Sequence, residues 1–319
     1  MDTGLVRSSA LRACVLVTGA TGNVGRAVVR TLLDAGVAVR ALVTAPDAAR
    51  AQFGLPSPLL TTVSFDFENP DTYAAAFAEG TALFLMRPPA IGDAGVITRA
   101  VDVAFQSGVR RIAFLSVQGA DQNPLVPHHA IEVHLQALAS AQPMFHFTLL
   151  RAAFFMQNLS GTHAADIREL CEILVPAGNG RTAFVDARDV GAAAALVLTE
   201  DAPAPSGNRA YELTGLHAFT YHEVAEILSR ACGHPIRYRH PGLLRFYRAM
   251  RRRGHTRAYV AVMMALYTTA RLGFAAHLSS DLEMLLGRPP HTLEQFVIDN
   301  VAAFLPSQSE HDVEPAAAS

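Results

Sequence analysis

Residues 13–43, ACVLVTGATGNVGRAVVRTLLDAGVAVRALV, constrain the fold more than any other stretch of the chain. The apolar run Ala13 to Val17 is too short for a helix and reads as a buried strand. Gly19, Gly22 and Gly25 follow at GxxGxxG spacing. Val24, Val28, Leu32 and Leu33 then mark one face of a helix that ends at Ala35-Gly36, and a second strand is expected from Val37 to Val43. Together these make one βαβ unit. Glycine removes the Cβ where backbone must approach a pyrophosphate, and a helix amino end offers amide N–H groups and positive partial charge.

The alternation continues. Strands are expected over Leu60 to Phe65, Ala82 to Leu85, Arg111 to Val117 and His146 to Arg151. Helices are expected over Pro70 to Ala78, Gly95 to Ser107 and Ala130 to Ala141. This pattern predicts an α/β fold, a Rossmann-type doubly wound parallel sheet, over residues 13–160. Beyond it the alternation loosens. An Ala-rich helix is expected over Arg188 to Leu198 and a short strand over Arg209 to Leu213. Capping boxes at Thr220/Glu223, Ser280/Glu283 and Thr292/Gln295 announce further helices. A smaller, mostly helical substrate lobe is therefore expected over 161–305, with residues 183–214 packing back on the first lobe. Residues 1–12 read as a tail, and the polar, small-residue stretch 306–319 as a disordered one.

Composition narrows the function. Only 17% of the 319 residues are charged and the net charge is −2, so no overall field favours nucleic acid or an anionic membrane. The amino end lacks a secretory pattern. The longest apolar-leaning run, Ala258 to Ala270, falls short of the roughly 20 residues that span a bilayer. A soluble, cytoplasmic protein acting on a small molecule is the expectation. Cys14, Cys171 and Cys232 lack any CxxC spacing and read as buried free thiols. All 26 basic residues are arginine, which excludes Schiff-base chemistry and a P-loop lysine. The segment Arg245 to Arg257, RFYRAMRRRGHTR, reads as a solvated helix face, with an anionic substrate or partner as the alternative. It lacks the aromatic interleaving of single-strand nucleic-acid binders.

Several motifs in order, LVTGATGNVG, FLSVQGAD, VPHHAIEVHLQAL, FTLLRAAFFMQNLS, PAGNGRTAFVDARDV, AYELTG and LLGRPPHTLEQF, resemble the NmrA-like group of atypical short-chain dehydrogenases over about residues 13 to 304. That group includes quinone-reductase-like and triphenylmethane-reductase-like enzymes, and also redox sensors that bind cofactor without turnover. The resemblance implies NADP(H), with NAD(H) as the alternative. It implies a pyrophosphate loop of Gly19, Ala20, Thr21, Gly22, Asn23 and Val24, and adenine contacts from Asp66 and Phe67. Met86, Arg87 and Pro88 would run along the ribose and nicotinamide, which Ala152, Ala153, Phe154 and Phe155 would border.

Two departures stand out. Thr44 occupies the position after the second strand where the family often has an arginine for the 2′-phosphate, and no acid stands there to grip a ribose hydroxyl. Arg26, Arg40 and Arg50 are the arginines that can compensate, with Arg40 the one expected to point away. The usual Tyr-x-x-x-Lys dyad is also missing: His129 stands at the tyrosine position and Val133 at the lysine position.

The stretch VPHHAIEVH offers three readings. As a metal site it is poor, because only His128 or His129 shares a helix face with Glu132, and zinc takes three or four protein ligands. As an acid–base site it is better, with His129 or His128 delivering a proton near neutral pH and Ser116 polarising a carbonyl. As structure, the histidines shape a pocket mouth and bond to Glu132 or backbone. His134 reads as a surface residue. Phe154, Phe155 and Met156 offer a flat apolar floor, and Asn158 and Gln118 offer orienting hydrogen bonds. The functional expectation is an NAD(P)H-dependent reductase of a small aromatic, quinone-like or conjugated carbonyl compound. A redox-sensing regulator and a non-redox cyclase or isomerase on the same fold are the alternatives.

Overall fold

A computed structural model of the chain describes residues 14–54, 57–199 and 208–305. The tails expected at 1–12 and 306–319 lie outside the described residues. The chain divides into two compact units, one of residues 14–153, 187–214 and 279–290, the other of 154–186, 215–278 and 291–305.

In the first unit the elements run β1 (Cys14–Thr18), α1 (Asn23–Asp34), β2 (Ala38–Val43), α2 (Pro46–Phe53), β3 (Leu60–Ser64), α3 (Tyr73–Phe77), β4 (Gly80–Met86), α4 (Ala94–Gln106), β5 (Arg111–Val117), α5 (Pro127–Ala141) and β6 (His146–Ala152). The chain then passes into the second unit through β7 (Phe154–Phe155), α6 (Gln157–Ser160), α7 (Ala164–Leu170), β8 (Glu172–Ile173) and β9 (Arg181–Val185). It returns to the first with α8 (Ala187–Leu198) and β10 (Arg209–Leu213).

The first unit is a seven-stranded sheet in the order β10-β6-β5-β4-β1-β2-β3, parallel at every pairing. Alternation along the strands divides their side chains between two faces. Leu16, Leu83, Leu85, Ile112 and Phe114 share a core with Phe77 of α3, Ile97 and Val101 of α4, and Ile131 and Leu135 of α5. On the other face α1 packs against α8 so closely that a Cβ on Gly191 would stand 2.5 Å from the Ala27 Cβ. The fold class is the one expected. Strand order reverses between β1 and β4, where an open α/β sheet leaves a crevice beyond its carboxyl ends.

The second unit continues with β11 (Ala218–Thr220), α9 (Tyr221–Cys232), β12 (Arg237–Tyr238), α10 (Leu243–Arg252) and α11 (Arg257–Arg271). After α12 (Asp281–Leu286), which belongs to the first unit, it closes with α13 (Leu293–Asp299). It is mostly helical, with two small sheets, β11-β9-β7 and β12-β8. Its core gathers Phe184, Tyr221, Phe246, Tyr267 and Phe296. No helix among the described residues is long and apolar enough to cross a membrane.

Three local expectations are corrected. Helix α5 starts at Pro127, three residues before Ala130, because proline fits the first helical position, where no amide donor is required. Ser280 forms no side-chain cap; its backbone (φ −87°, ψ 1°) lacks the extended geometry a cap needs. The three cysteines are free but only partly buried. At Thr220 both halves of the capping box form.

Candidate active site

Parallel strands bring their carboxyl ends to one edge of the first unit. The loop after β1 turns at Gly19 (φ +59°), and the Gly22 amide donates to the Gly19 carbonyl at 2.9 Å. Gly25 lets α1 press on this loop: a Cβ there would stand 2.1 Å from the Gly19 oxygen. No side chain caps α1 and no acid stands in its first turn. The amino-end amides are therefore bare, with nothing to oppose an anion. This chemistry fits a pyrophosphate held by Gly19, Ala20, Thr21, Gly22, Asn23 and Val24.

Thr18, which sequence reasoning passed over, sets the rim. Its hydroxyl donates to the Phe84 carbonyl (3.0 Å) and accepts from the Met86 amide (2.8 Å), tying β1 to β4. Met86 consequently lies over Gly19, where a Cβ would meet its Cε at 2.1 Å. Arg87 donates to the carbonyls of Pro88 (3.1 Å) and Ile91, so its guanidinium folds its own loop together. Burial lowers the Arg87 pKa.

After β2, Thr44 is exposed. Of the three arginines considered beside it, Arg40 donates to the carbonyls of Ala76 and Ala78 and is committed to the end of α3. Arg50 donates to the Thr62 hydroxyl (3.2 Å). Arg26 donates to the Thr21 carbonyl (3.1 Å), which places its guanidinium against the glycine loop. After β3, the Asp66 carboxylate accepts from the Glu68 amide (2.9 Å). The Phe67 ring is buried edge-on to Phe65 at 4.7 Å, with its carbonyl accepting from the Tyr73 hydroxyl.

The ends of β5 and β6 hold a buried polar cluster. Glu132 of α5 accepts from the Ser116 hydroxyl (2.5 Å) and takes a two-pronged grip from Arg151 Nε (3.1 Å) and Nη2 (2.7 Å). Arg151 also reaches Asp121 (3.2 Å) and Glu212 (3.4 Å). Burial opposes the Arg151 charge, but the Glu132 hydrogen bonds and charge, with Asp121 and Glu212, outweigh it and raise its pKa. Glu132 is thus the partner of Ser116 and Arg151 and of neither adjacent histidine, which corrects the reading from helical spacing. Ser116 is 1% exposed, and its proton is directed at Glu132.

The histidines separate. His128 stacks on Phe114 at 5.9 Å, and burial, with the nearby Arg87 charge, lowers its pKa to about 4. It is neutral near pH 7. His129 Nδ1 lies 2.8 Å from the Ala120 carbonyl. A carbonyl only accepts, so Nδ1 carries the proton, and in the neutral ring Nε2 bears the lone pair. His134 is part-buried and bonds to Asp102 (2.7 Å). At the rim the Gln118 backbone N–H donates to the Ala152 carbonyl (3.1 Å) and the Ala153 backbone N–H to the Leu213 carbonyl (3.0 Å). Ala152 and Ala153 are buried and small.

Phe154, Phe155, Met156 and Asn158 belong to the second unit. Met156 is 2% exposed in that unit's core, while Phe154, Phe155 and Asn158 are half-buried. The Phe154 ring lies 6.1 Å from Tyr267. Among the described residues no group of three or more His, Cys, Asp or Glu stands close enough to hold a metal ion.

The model of the NmrA-like family matches residues 12–269. The chain belongs to the NmrA-like family. Among relatives of this NmrA-like protein is the NAD(P)H azoreductase of Xenophilus azovorans, 32% identical over 292 residues, which cover 91% of this chain and 99% of the relative. Its fold is similar to that of the NADPH-dependent quinone oxidoreductase of Escherichia coli solved with NADPH (TM-score 0.75, 26% identity, 89% of this chain and 98% of that one). It also has the fold of the triphenylmethane reductase of Citrobacter sp. complexed with NADP(H) (TM-score 0.76, 24% identity, 90% and 99% covered).

Proposed function

We propose that this chain is an NAD(P)H-dependent reductase that acts on a small aromatic, quinone-like or conjugated carbonyl compound. The bare amino end of α1 behind the Gly19–Gly22 turn carries this reading, because it offers an anion several amides and no competing carboxylate. The names of the relatives support it. When bound, NAD(P)H supplies a hydride.

The chain's own residues do the rest. Gly19, Ala20, Thr21, Gly22, Asn23 and Val24 hold the pyrophosphate. Asp66 and Phe67 flank the adenine side, and Met86, Arg87 and Pro88 flank the ribose and nicotinamide. Arg26, set against the glycine loop by its bond to the Thr21 carbonyl, is the arginine we assign to a 2′-phosphate, which favours NADP(H) over NAD(H). Ala152 and Ala153 keep the end of β6 small enough for a flat ring. His129, held through Nδ1–H by the Ala120 carbonyl, presents Nε2, which takes a proton from water and passes it to the oxygen of the reduced carbonyl or quinone. His128, neutral and stacked, shapes the wall beside it. The Ser116–Glu132–Arg151 cluster fixes the amino end of α5 and so positions both histidines. Phe154, Phe155 and Asn158 contribute to substrate choice.

The chain contains no lysine, so the tyrosine–lysine pair of ordinary short-chain dehydrogenases is not available to it. This favours one second reading, a redox sensor that binds cofactor without turning over substrate. The two are separated by following NADPH absorbance with a panel of quinones and azo compounds. Sustained oxidation supports the reductase. No oxidation, with much tighter binding of one redox form, supports the sensor.

A further inference from the structure

The histidines of the site above lie in the first unit; a separate pair meets in the second. Helix α9 begins at Tyr221, and His222 is its second residue. Strand β12 ends at Tyr238, and His240 follows two residues later. The fold turns the two imidazoles towards each other. His222 Nε2 lies 2.5 Å from His240 Nε2, and the ring centroids are 4.6 Å apart.

Two features hold the pair in place. The Tyr238 ring packs against both, with centroids 5.1 Å from His222 and 4.8 Å from His240. That ring is buried, and its hydroxyl donates to the Val175 carbonyl at 2.9 Å, so it forms a fixed wall beside the histidines. His240 itself has φ +46°, in the left-handed region that a residue with a Cβ enters at a cost. Backbone outliers of this kind cluster at ligand clamps.

Each neutral imidazole carries one N–H and one lone pair. Two N–H groups aimed at each other repel, and so do two lone pairs, so a shared proton or a cation belongs between the nitrogens. Both side chains are exposed and open to ions from solvent. An exposed hydrogen bond competes with water and returns little net free energy, so a shared proton alone does not offset the backbone cost at His240. Neutral imidazole is the commonest metal ligand. Two metal–nitrogen bonds of about 2.0–2.1 Å at a right angle set the nitrogens about 2.9 Å apart, a small opening for exposed rings. Among the described residues no third His, Cys, Asp or Glu completes a ligand set. Two imidazoles are too few for a structural zinc ion. They suit copper(II) and nickel(II), which bind imidazole in tetragonal geometry and leave their other positions to water.

We propose that His222 and His240 chelate one divalent transition-metal ion of the copper(II) and nickel(II) class. The site uses none of the residues assigned to cofactor or substrate.

Nickel(II) is the probe, because free thiols reduce copper(II). The full chain, purified without a histidine tag, is titrated with nickel chloride by calorimetry. One equivalent should bind at least about tenfold more tightly than the rest, and magnesium, which prefers oxygen, should show no such equivalent. His222→Gln and His240→Asn should each remove it; asparagine tolerates the left-handed backbone, so the second variant keeps its fold. His217→Gln, at another exposed histidine of the same unit, should leave it intact. Nickel at about one hundred times its Kd should raise the Tm of the parent by about 5 °C and that of neither pair variant. Circular dichroism checks that the variants fold. Nickel spread evenly over the histidines, or a tight equivalent that survives both His222→Gln and His240→Asn, would overturn the proposal.

Discussion

Glu132→Ala tests whether the buried cluster beneath the histidines is held as described. The Glu132 carboxylate is 2% exposed and accepts three hydrogen bonds, two of them from Arg151. Removing one partner of a buried ion pair costs about 3–5 kcal/mol, because the other charge is left without compensation. Here Asp121 (3.2 Å) and Glu212 (3.4 Å) still face one Arg151 nitrogen, which places the loss near the lower end. The Ser116 hydroxyl also loses its acceptor, worth about 1 kcal/mol. The expected total is about 3–4 kcal/mol, or a fall in Tm of about 10 °C for a unit of this size. Urea unfolding followed by circular dichroism measures it. The double change Glu132→Leu with Arg151→Met should recover much of the loss, since it leaves neither charge buried. A loss below about 1 kcal/mol in the single variant, or a double variant no better than the single, would refute the assignment.

Three further outcomes are expected. His128→Gln should flatten the acid limb of stability. The folded pKa near 4 lies below the unfolded 6.5, so the unfolded chain binds more protons between these values. The parent therefore loses stability as pH falls through that window, by about 2 kcal/mol between pH 7 and pH 5 from this group; urea midpoints at both pH values check it. Gly25→Ala should weaken cofactor binding at least about tenfold, because its Cβ would collide with Gly19 backbone that no rotamer change can clear; calorimetry reads the loss. His129→Ala should lower kcat about 10²-fold or more with cofactor affinity unchanged, as stopped-flow and equilibrium titration would report.

The sheet was largely legible because its strands are short apolar runs and its punctuation is local. The bounds of β5 and β10 match their sequence expectation residue for residue. The glycine turn and the helix that follows it were legible for the same reason. What escaped depends on contacts far apart in sequence. Helical spacing put Glu132 beside two histidines, but adjacent parallel strands bring it Ser116 and Arg151 instead, 16 and 19 residues away. One signal was present: Arg151 is the only Asp, Glu or Arg in the strand HFTLLRA. Thr18 was hidden inside the glycine motif, where its link to β4 has no trace in local pattern. The choice among Arg26, Arg40 and Arg50 needed the acceptor that each one meets.

The most direct test of the central claim is calorimetric titration of the purified chain and of Arg26→Ala with NADPH, NADP⁺, NADH and NAD⁺. The account predicts that NADPH and NADP⁺ bind comparably and that the NADH pair binds about 10–100-fold more weakly, the worth of one charge-assisted contact to a 2′-phosphate. Arg26→Ala should bring the two pairs together. Binding of none of the four, or binding of the NADH pair as tight as that of the NADPH pair, would contradict it.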